Sequence, residues 1–399
     1  MKQHAKIAFV TAFAIVTLAV ASGSVTAQTV KIGIINTYSG PDSQPGDEMD
    51  KGISLYVRNH EKDLPTGVKV ELIRRDDTGP NPSGAQRLAQ ELVTRDQVKF
   101  LAGVVYTPNA VAIAKVAGEA KIPFVIMNAA GSSITRVSPY VVRVSFTIWQ
   151  QANPIGKWAA QHGYKKAYTL VSDFAPGYDG EQGFTKGFTE AGGQMAGAVR
   201  VPLANPDFVP FLQRVKDAKP DIVFIFIPGG KQATSVMKAW ADLGLQQAGI
   251  TVTSTQDLVT DEELPNMGEA PLGIVSAGIY SVAGDRPANK AFLAAWKREY
   301  ADKAIANYVS VGGWDGMAAI FDVIKQTQGK FDTDQAMAIL KNWKNPDSPR
   351  GPIMIDPATR DIVQNVYIRK VERVDGKLAN VEFDTIPNVK DPWKELNPQ

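Results

Sequence analysis

Short apolar runs alternating with helical patterns along the whole chain predict an α/β protein made of βαβ units around parallel sheets. Three observations carry that expectation. The run Val30-Lys-Ile-Gly-Ile-Ile35 reads as a buried strand and passes through Asn36-Thr-Tyr-Ser-Gly40 into a helix opening at Gly46. A second unit follows, with a strand at 68–73 and a loop over Asp76-Asp77-Thr-Gly-Pro-Asn-Pro-Ser83. Its helix starts at Ser83-Gly-Ala-Gln86, which has capping-box spacing, and carries Ala85, Leu88, Ala89, Leu92 and Val93 on one face. The alternation then continues to residue 300, with strands expected at 100–105, 124–127, 167–171, 199–201, 222–227, 250–253 and 274–277. Helices are expected between them at 110–120, 153–161, 180–190, 209–218, 233–243 and 290–300.

Punctuation supports these elements. Gly163 follows His162 where a helix stop belongs, Gly192-Gly193 closes the next helix, and Lys219-Pro-Asp221 ends another before the strand at 222. After about Pro346 the character changes. Residues 351–357 and 366–374, with Asp375-Gly376 as a turn, alternate like exposed antiparallel strands. The 399 residues exceed one ordinary domain and predict two. No flexible linker separates them, so strand-like crossovers are expected to join the halves.

The N-terminus reads as an export signal. Lys2 and Lys6 precede an apolar run at 7–21, and Val25-Thr26-Ala27 is a small-residue cleavage site. The run falls short of the roughly 20 residues a membrane-spanning helix needs. Cleavage after Ala27 and a periplasmic, soluble mature protein are therefore expected.

Composition narrows the chemistry. The chain has no cysteine, which removes disulfides, thiol nucleophiles and cysteine metal ligands. Its 43 basic and 41 acidic residues nearly balance, and no Lys/Arg run is dense enough to follow a phosphate backbone, so no nucleic acid is expected. After the leader only His60 and His162 remain, and both read as helix-end or surface residues. With no Gly-x-Ser-x-Gly elbow, no enzyme, no cofactor and no metal are expected. Gly229-Gly230-Lys231 lacks the rest of a phosphate loop, since Ile225 and Gln232 stand where Gly and Ser or Thr belong. It reads as a strand-to-helix turn. Asp76-Asp77 and Glu262-Glu263 read as solvated or helix-capping loop acids.

What remains is a set of strand-end loops rich in small hydroxyls and aromatics. They are Asn36–Gly40, Tyr106-Thr107-Pro-Asn109, Asn128-Ala-Ala-Gly-Ser-Ser133, Phe174-Ala-Pro-Gly-Tyr178 and Thr255-Gln-Asp257. Small residues let backbone N–H groups approach a bound carboxylate, and Tyr106 and Tyr178 offer walls for an apolar group.

The chain resembles the periplasmic solute-binding proteins of ABC importers for branched-chain and hydrophobic amino acids, the leucine-binding-protein-like group with the type I fold. The resemblance rests on Lys31-Ile-Gly-Ile…Tyr-Ser-Gly-Pro41…Gly46…Gly52, Arg75-Asp-Asp77…Pro82…Ala85, Ile122-Pro-Phe-Val…Asn-Ala-Ala130, Asp173…Tyr178-Asp-Gly180 and Lys219-Pro-Asp-Ile-Val223. It implies two doubly wound lobes joined by three crossing segments, with lobe 1 at 28–147 plus 278–350 and lobe 2 at 148–277 plus 351–399. It also implies a monomer that closes over one small carboxylate and delivers it to a membrane permease. The positions matching the carboxylate clamp are Thr107, Ala129 and Gly131, with Tyr106 and Ser132 beside them. Lobe 2 would offer Tyr178 as an aromatic and Asp257 as the partner of a ligand ammonium. Pro45 and Pro228 stand where the group usually has aromatics, and a clear ammonium-binding Glu is absent. An amine-free aromatic or aliphatic acid or a short amide is therefore a rival to a branched-chain amino acid. A sensory receptor on the same fold and an exported hydrolase are the alternative functions.

Overall fold

The computed structural model describes residues 28–40 and 43–398. The expected leader and its cleavage site lie outside the described residues. The first sheet is formed by β1 (Gln28–Asn36), β2 (Val68–Asp76), β3 (Phe100–Gly103), β4 (Phe124–Ile126) and β5 (Val141–Arg143). Their order is β2-β1-β3-β4-β5, and every pairing is parallel. The connections are α1 (Gln44–His60), α2 (Pro82–Thr94) and α3 (Thr107–Ala120). The chain then crosses over into α4 (Ile148–Gln161).

A second parallel set follows, with β6 (Lys166–Ser172), β7 (Gln194–Val201), β8 (Ile222–Phe226), β9 (Thr251–Thr255) and β10 (Val275–Gly278). Its helices are α5 (Ala175–Glu190), α6 (Val209–Ala218) and α7 (Lys231–Asp242). The chain returns to the first sheet as α8 (Pro287–Tyr300), α9 (Tyr308–Gln326) and α10 (Thr333–Lys341). It then comes back to the second sheet as β11 (Lys344–Asn345), β12 (Ile353–Ile355), β13 (Ile362–Val374) and β14 (Lys377–Val389), ending in α11 (Trp393–Leu396). These strands extend the order to β11-β12-β13-β10-β9-β8-β6-β7 with antiparallel pairings, and β14 lies on β13. The return is earlier than expected. β11 already pairs in the second sheet, ahead of the crossing expected at residue 350.

Each sheet is covered on both faces, which is why its strands read as nearly continuous apolar runs. Leu88, Leu92, Ile113 and Ala117 from α2 and α3 fill one face of the first sheet. Leu212, Val215, Val236 and Trp240 from α6 and α7 fill one face of the second. The remaining faces join in one core that runs through α1, α9, α4 and α5. α1 and α9 approach until a Cβ on Gly52 would lie 1.9 Å from the Ser310 carbonyl oxygen, so only glycine permits this contact.

Two expectations need correction. Residues 366–374 were expected to be exposed, yet Val366 to Arg369 and Val371 are buried. Residues 367–370 of β13 lie between β10 on one edge and β14 on the other, so this part is interior strand and not an exposed edge. Of the Glu262-Glu263 pair, Glu263 is buried and Glu262 is half-buried with its Oε2 inside, so neither is a freely solvated loop acid.

The crossings are fixed by buried charge. Arg350 and Asp315 are both fully buried with Nε to Oδ2 at 2.9 Å, and Arg350 Nη1 donates to the Ser145 carbonyl (2.7 Å) and to Gln364 Oε1 (2.8 Å).

Candidate functional site

In open α/β sheets, ligands gather outside the carboxyl ends of the strands where the strand order reverses. That point lies between β1 and β3 in the first sheet and between β6 and β8 in the second. Both open into one slot. From the first side come Pro45 in the first turn of α1, Val105 to Thr107 leading into α3, Asn128 and Ala130 after β4, and Tyr308 at the start of α9. From the other come Ile148 opening α4, Phe174 and Pro176 at α5, Phe226 ending β8, then Pro228, Gly229 and Asp257. Phe146, on the first crossing, also lines it.

The walls are apolar and aromatic. Phe146 meets Tyr308 edge-on, with ring centroids 5.4 Å apart, and Phe174 stacks on Phe226 at 6.1 Å. Such a slot takes a planar apolar body with area burial as the main driving force.

Its electrostatics come from backbone and hydroxyls. First-turn residues of α1, α3, α4, α5 and α9 line the slot, and each helix start carries partial positive charge and N–H groups lacking helical acceptors. No Lys or Arg lies among the lining residues. An anion entering here would meet dipoles and neutral donors rather than cations. Thr107 is the central one: its hydroxyl accepts from the Gly131 N–H at 3.1 Å and retains its own proton for a second partner. The approach depends on glycine, since a Cβ on residue 131 would sit 2.6 Å from Thr107 Cγ2. Behind the loop, the buried Arg143 guanidinium donates to the Gly131 carbonyl at 2.6 Å and the Phe146 carbonyl at 3.1 Å, which holds both in place.

Among the described residues that line the slot, Asp257 is the only acid. Its Oδ1 accepts from the Tyr308 hydroxyl at 3.0 Å and its Oδ2 from Thr255 Oγ1 at 2.9 Å. Burial pushes its carboxyl up to about 6, against the two hydroxyl donors that favour the ionised form.

The structure brings together Tyr106, Thr107 and Asp257 in the slot, with Gly131 touching Thr107 from behind. Three other expected residues stand elsewhere. Ala129 is buried and its N–H donates to the Val104 carbonyl at 3.1 Å, while its neighbour Ala130 lines the slot. Ser132 is buried and its N–H donates to Asp179 Oδ2 at 2.8 Å, a bond that ties the two sides together. Tyr178 points outward. Its hydroxyl donates to Asp173 Oδ1 at 2.8 Å, and the Arg200 guanidinium covers its ring at 4.4 Å. The reason is that α5 begins at Ala175 rather than 180, so Tyr178 is a helical residue on the outer face. His60 stacks on Tyr56 and His162 on Trp158, each with Nδ1 at the carbonyl of that same residue, away from the slot.

The sequence reading did not select Phe146, Ile148, Phe226 or Tyr308. For Tyr308 a signal existed. Asn307 caps α9 by accepting from the N–H groups of Val309 and Ser310, while Ser310 Oγ accepts from the Asn307 N–H, an Asn-x-x-Ser capping pattern.

Two doubly wound lobes meeting on a slot edged by helix starts define a two-lobed α/β solute-binding protein. The chain belongs to the periplasmic binding protein family, whose model matches residues 29–377. Its function is that of the solute-binding component of an ABC transporter. It is 40% identical over 382 residues to the Leu/Ile/Val-binding protein homolog 6 of Brucella melitensis, covering 95% of this chain and 97% of that one. It is 48% identical to an ABC-transporter solute-binding protein of Rhodopseudomonas palustris BisB5 solved with 3,4-dihydroxybenzoic acid. The TM-score is 0.88, with 92% of this chain and 99% of that one covered. A second R. palustris solute-binding protein, solved with 4-hydroxybenzoate, is 44% identical with a TM-score of 0.88 and covers 93% of this chain and 100% of that one.

Proposed function

We propose that this chain is the periplasmic receptor of an ABC importer for a small aromatic carboxylate, with hydroxylated benzoates as the leading class. The carrying observation is the slot: aromatic and proline walls, helix starts in place of cations, and one acid that already lies between two hydroxyls. The carboxylate is placed at Thr107 and the start of α3. The ring lies between the Phe146–Tyr308 pair and the Phe174–Phe226 pair. A ring hydroxyl at the far end donates to Asp257, whose oxygens each have a lone pair beyond those used by Tyr308 and Thr255. Pro45 and Pro228 line the slot where the resemblance leads one to expect aromatics. The two relatives solved with hydroxybenzoates support the same class.

In this reading lobe 1 is built on the first sheet from 28–147 plus the segment returning after 278, and lobe 2 on the second sheet from 148–277 plus the C-terminal strands from Lys344 onward. The monomer is exported, binds one ligand without chemical conversion, and passes it to a membrane permease. A branched-chain amino acid is the second reading, favoured by the acid at Asp257 facing the slot and by the Brucella relative's name.

A thermal-shift panel separates the two. Hydroxybenzoates should raise the Tm, since a ligand at a hundredfold excess over Kd adds about 2.7 kcal/mol. If leucine, isoleucine or valine raises it and no aromatic acid does, the aromatic reading fails.

A further inference from the structure

Beside the slot, and not lining it, the buried Glu48 of one lobe and the half-buried Glu262 of the other lie close enough for the charge of Glu262 to act on Glu48. Glu48, in the first turns of α1, is 6% exposed. Its Oε2 accepts from Asn307 Nδ2, and its Oε1 accepts from Gln44 Nε2 at 3.3 Å. Asn307 cannot swing away, because its Oδ1 is held by the N–H groups of Val309 (2.9 Å) and Ser310 (3.0 Å) as the cap of α9. From the second lobe, the loop after β9 carries Glu262 against this group, with its Oε2 buried and lacking a hydrogen-bond partner.

The surroundings do not neutralise the pair. α1 supplies Gln44 and Lys51; α9 supplies Asn307 and Tyr308; the loop itself adds Thr260 and Asp261. Lys51 is the weakest of the influences on Glu48 and lies 3.6 Å from Asp47, while the nearby buried Arg369 acts on Asp261 and Asp257. Burial pushes Glu262 up to about 7. Burial and then the charge of Glu262 hold Glu48 well above the ordinary carboxylate range.

We propose that Glu48 and Glu262 form an inter-lobe carboxyl–carboxylate pair that takes up one proton when the lobes close on ligand. Two carboxylates in one dry site cannot both stay ionised, so one keeps a proton and the Asn307 amide supports the other. The inference rests on the receptor reading in one respect: the lobes must part when the ligand leaves. In the parted form both acids return to water and to ordinary values near 4.5. Affinity should then fall by about tenfold per pH unit as pH rises from roughly 5 to 7, and level off above that.

The test is calorimetry of 4-hydroxybenzoate binding at pH 6 in buffers of different ionisation enthalpy, on the wild type, Glu262→Gln and Glu48→Gln. Asp257 and Asp179, also pushed up to about 6, are retained in all three and cancel in the comparison. Glu262→Gln should take up about one proton fewer than the wild type and bind more tightly at pH 7, while Glu48→Gln, which leaves the burial of Glu262 in place, should lower the uptake by less. Equal proton uptake in all three proteins overturns the proposal. If 4-hydroxybenzoate binds none of them at any pH, the ligand reading fails separately, and the same comparison of proton uptake is made with whichever compound of the thermal-shift panel raises the Tm most.

Discussion

Replacing Asp257 with Asn separates the two ligand classes and also tests the electrostatics of the slot. The carboxyl is 6% exposed and is pushed from the ordinary 3.8 to about 6, chiefly by burial. The native state therefore binds a proton more readily than the unfolded chain. Asp257 costs nothing below about pH 3.8 and lowers stability progressively as pH rises through 6. The difference of about two pH units is worth about 3 kcal/mol at pH 8, taken at 1.36 kcal/mol per unit. An Asn side chain keeps the shape, accepts from the Tyr308 hydroxyl, and donates to Thr255 in place of accepting from it. Asp257→Asn should thus be more stable than the wild type in urea at pH 8, by up to about 3 kcal/mol, and equal to it near pH 3.5. Its affinity for 4-hydroxybenzoate should change only a few-fold, because a neutral amide oxygen still accepts from a phenol. For an amino acid ligand the same change removes the partner of a desolvated ammonium and costs about 2–5 kcal/mol, tens to thousands of fold in Kd. Urea unfolding at the two pH values, with calorimetry on both ligands, decides. A variant less stable than the wild type at pH 8 would refute the electrostatic reasoning.

Two further outcomes are expected. Thr107→Ala should weaken binding of any carboxylate by roughly 1.5–3 kcal/mol, the worth of a hydrogen bond to a charged group, and an unaffected Kd by calorimetry would place the anion elsewhere. Arg350→Ala should destabilise the protein by about 3–5 kcal/mol, because Asp315, fully buried, would lose its 2.9 Å partner, and the denaturation midpoint in urea reads this directly.

The parallel sheets were legible because strands covered on both faces, such as Ile222–Phe226, are unbroken apolar runs bounded by turn residues. Helix starts were not. α3, α4 and α5 begin three to five residues before their expected positions of 110, 153 and 180. Pro108 and Pro176 stand in the opening turns of α3 and α5, where an N–H is unpaired anyway, and Pro154 lies inside α4, where the sequence reading took it for the helix start. The site lies in those opening turns, so the same error hid Ile148 and sent Tyr178 inward. Phe226 was concealed inside an apolar run, where the residue at the strand end looks like any other core residue. The face around Thr107 was legible in part, since Tyr106, Thr107 and Gly131 stand in the loops after β3 and β4. The proline departures at 45 and 228 were also legible, and both line the slot. The Glu48–Glu262 pair was not, because it forms only when segments more than 200 residues apart are brought together.

The central claim is that the slot holds an amine-free aromatic acid. Titration calorimetry of the mature protein at pH 7 with 4-hydroxybenzoate and, separately, with leucine tests it most directly. The account predicts saturable one-to-one binding of 4-hydroxybenzoate, with the negative heat-capacity change of apolar burial, and no measurable heat from leucine. Tight one-to-one binding of leucine with none of 4-hydroxybenzoate would contradict it.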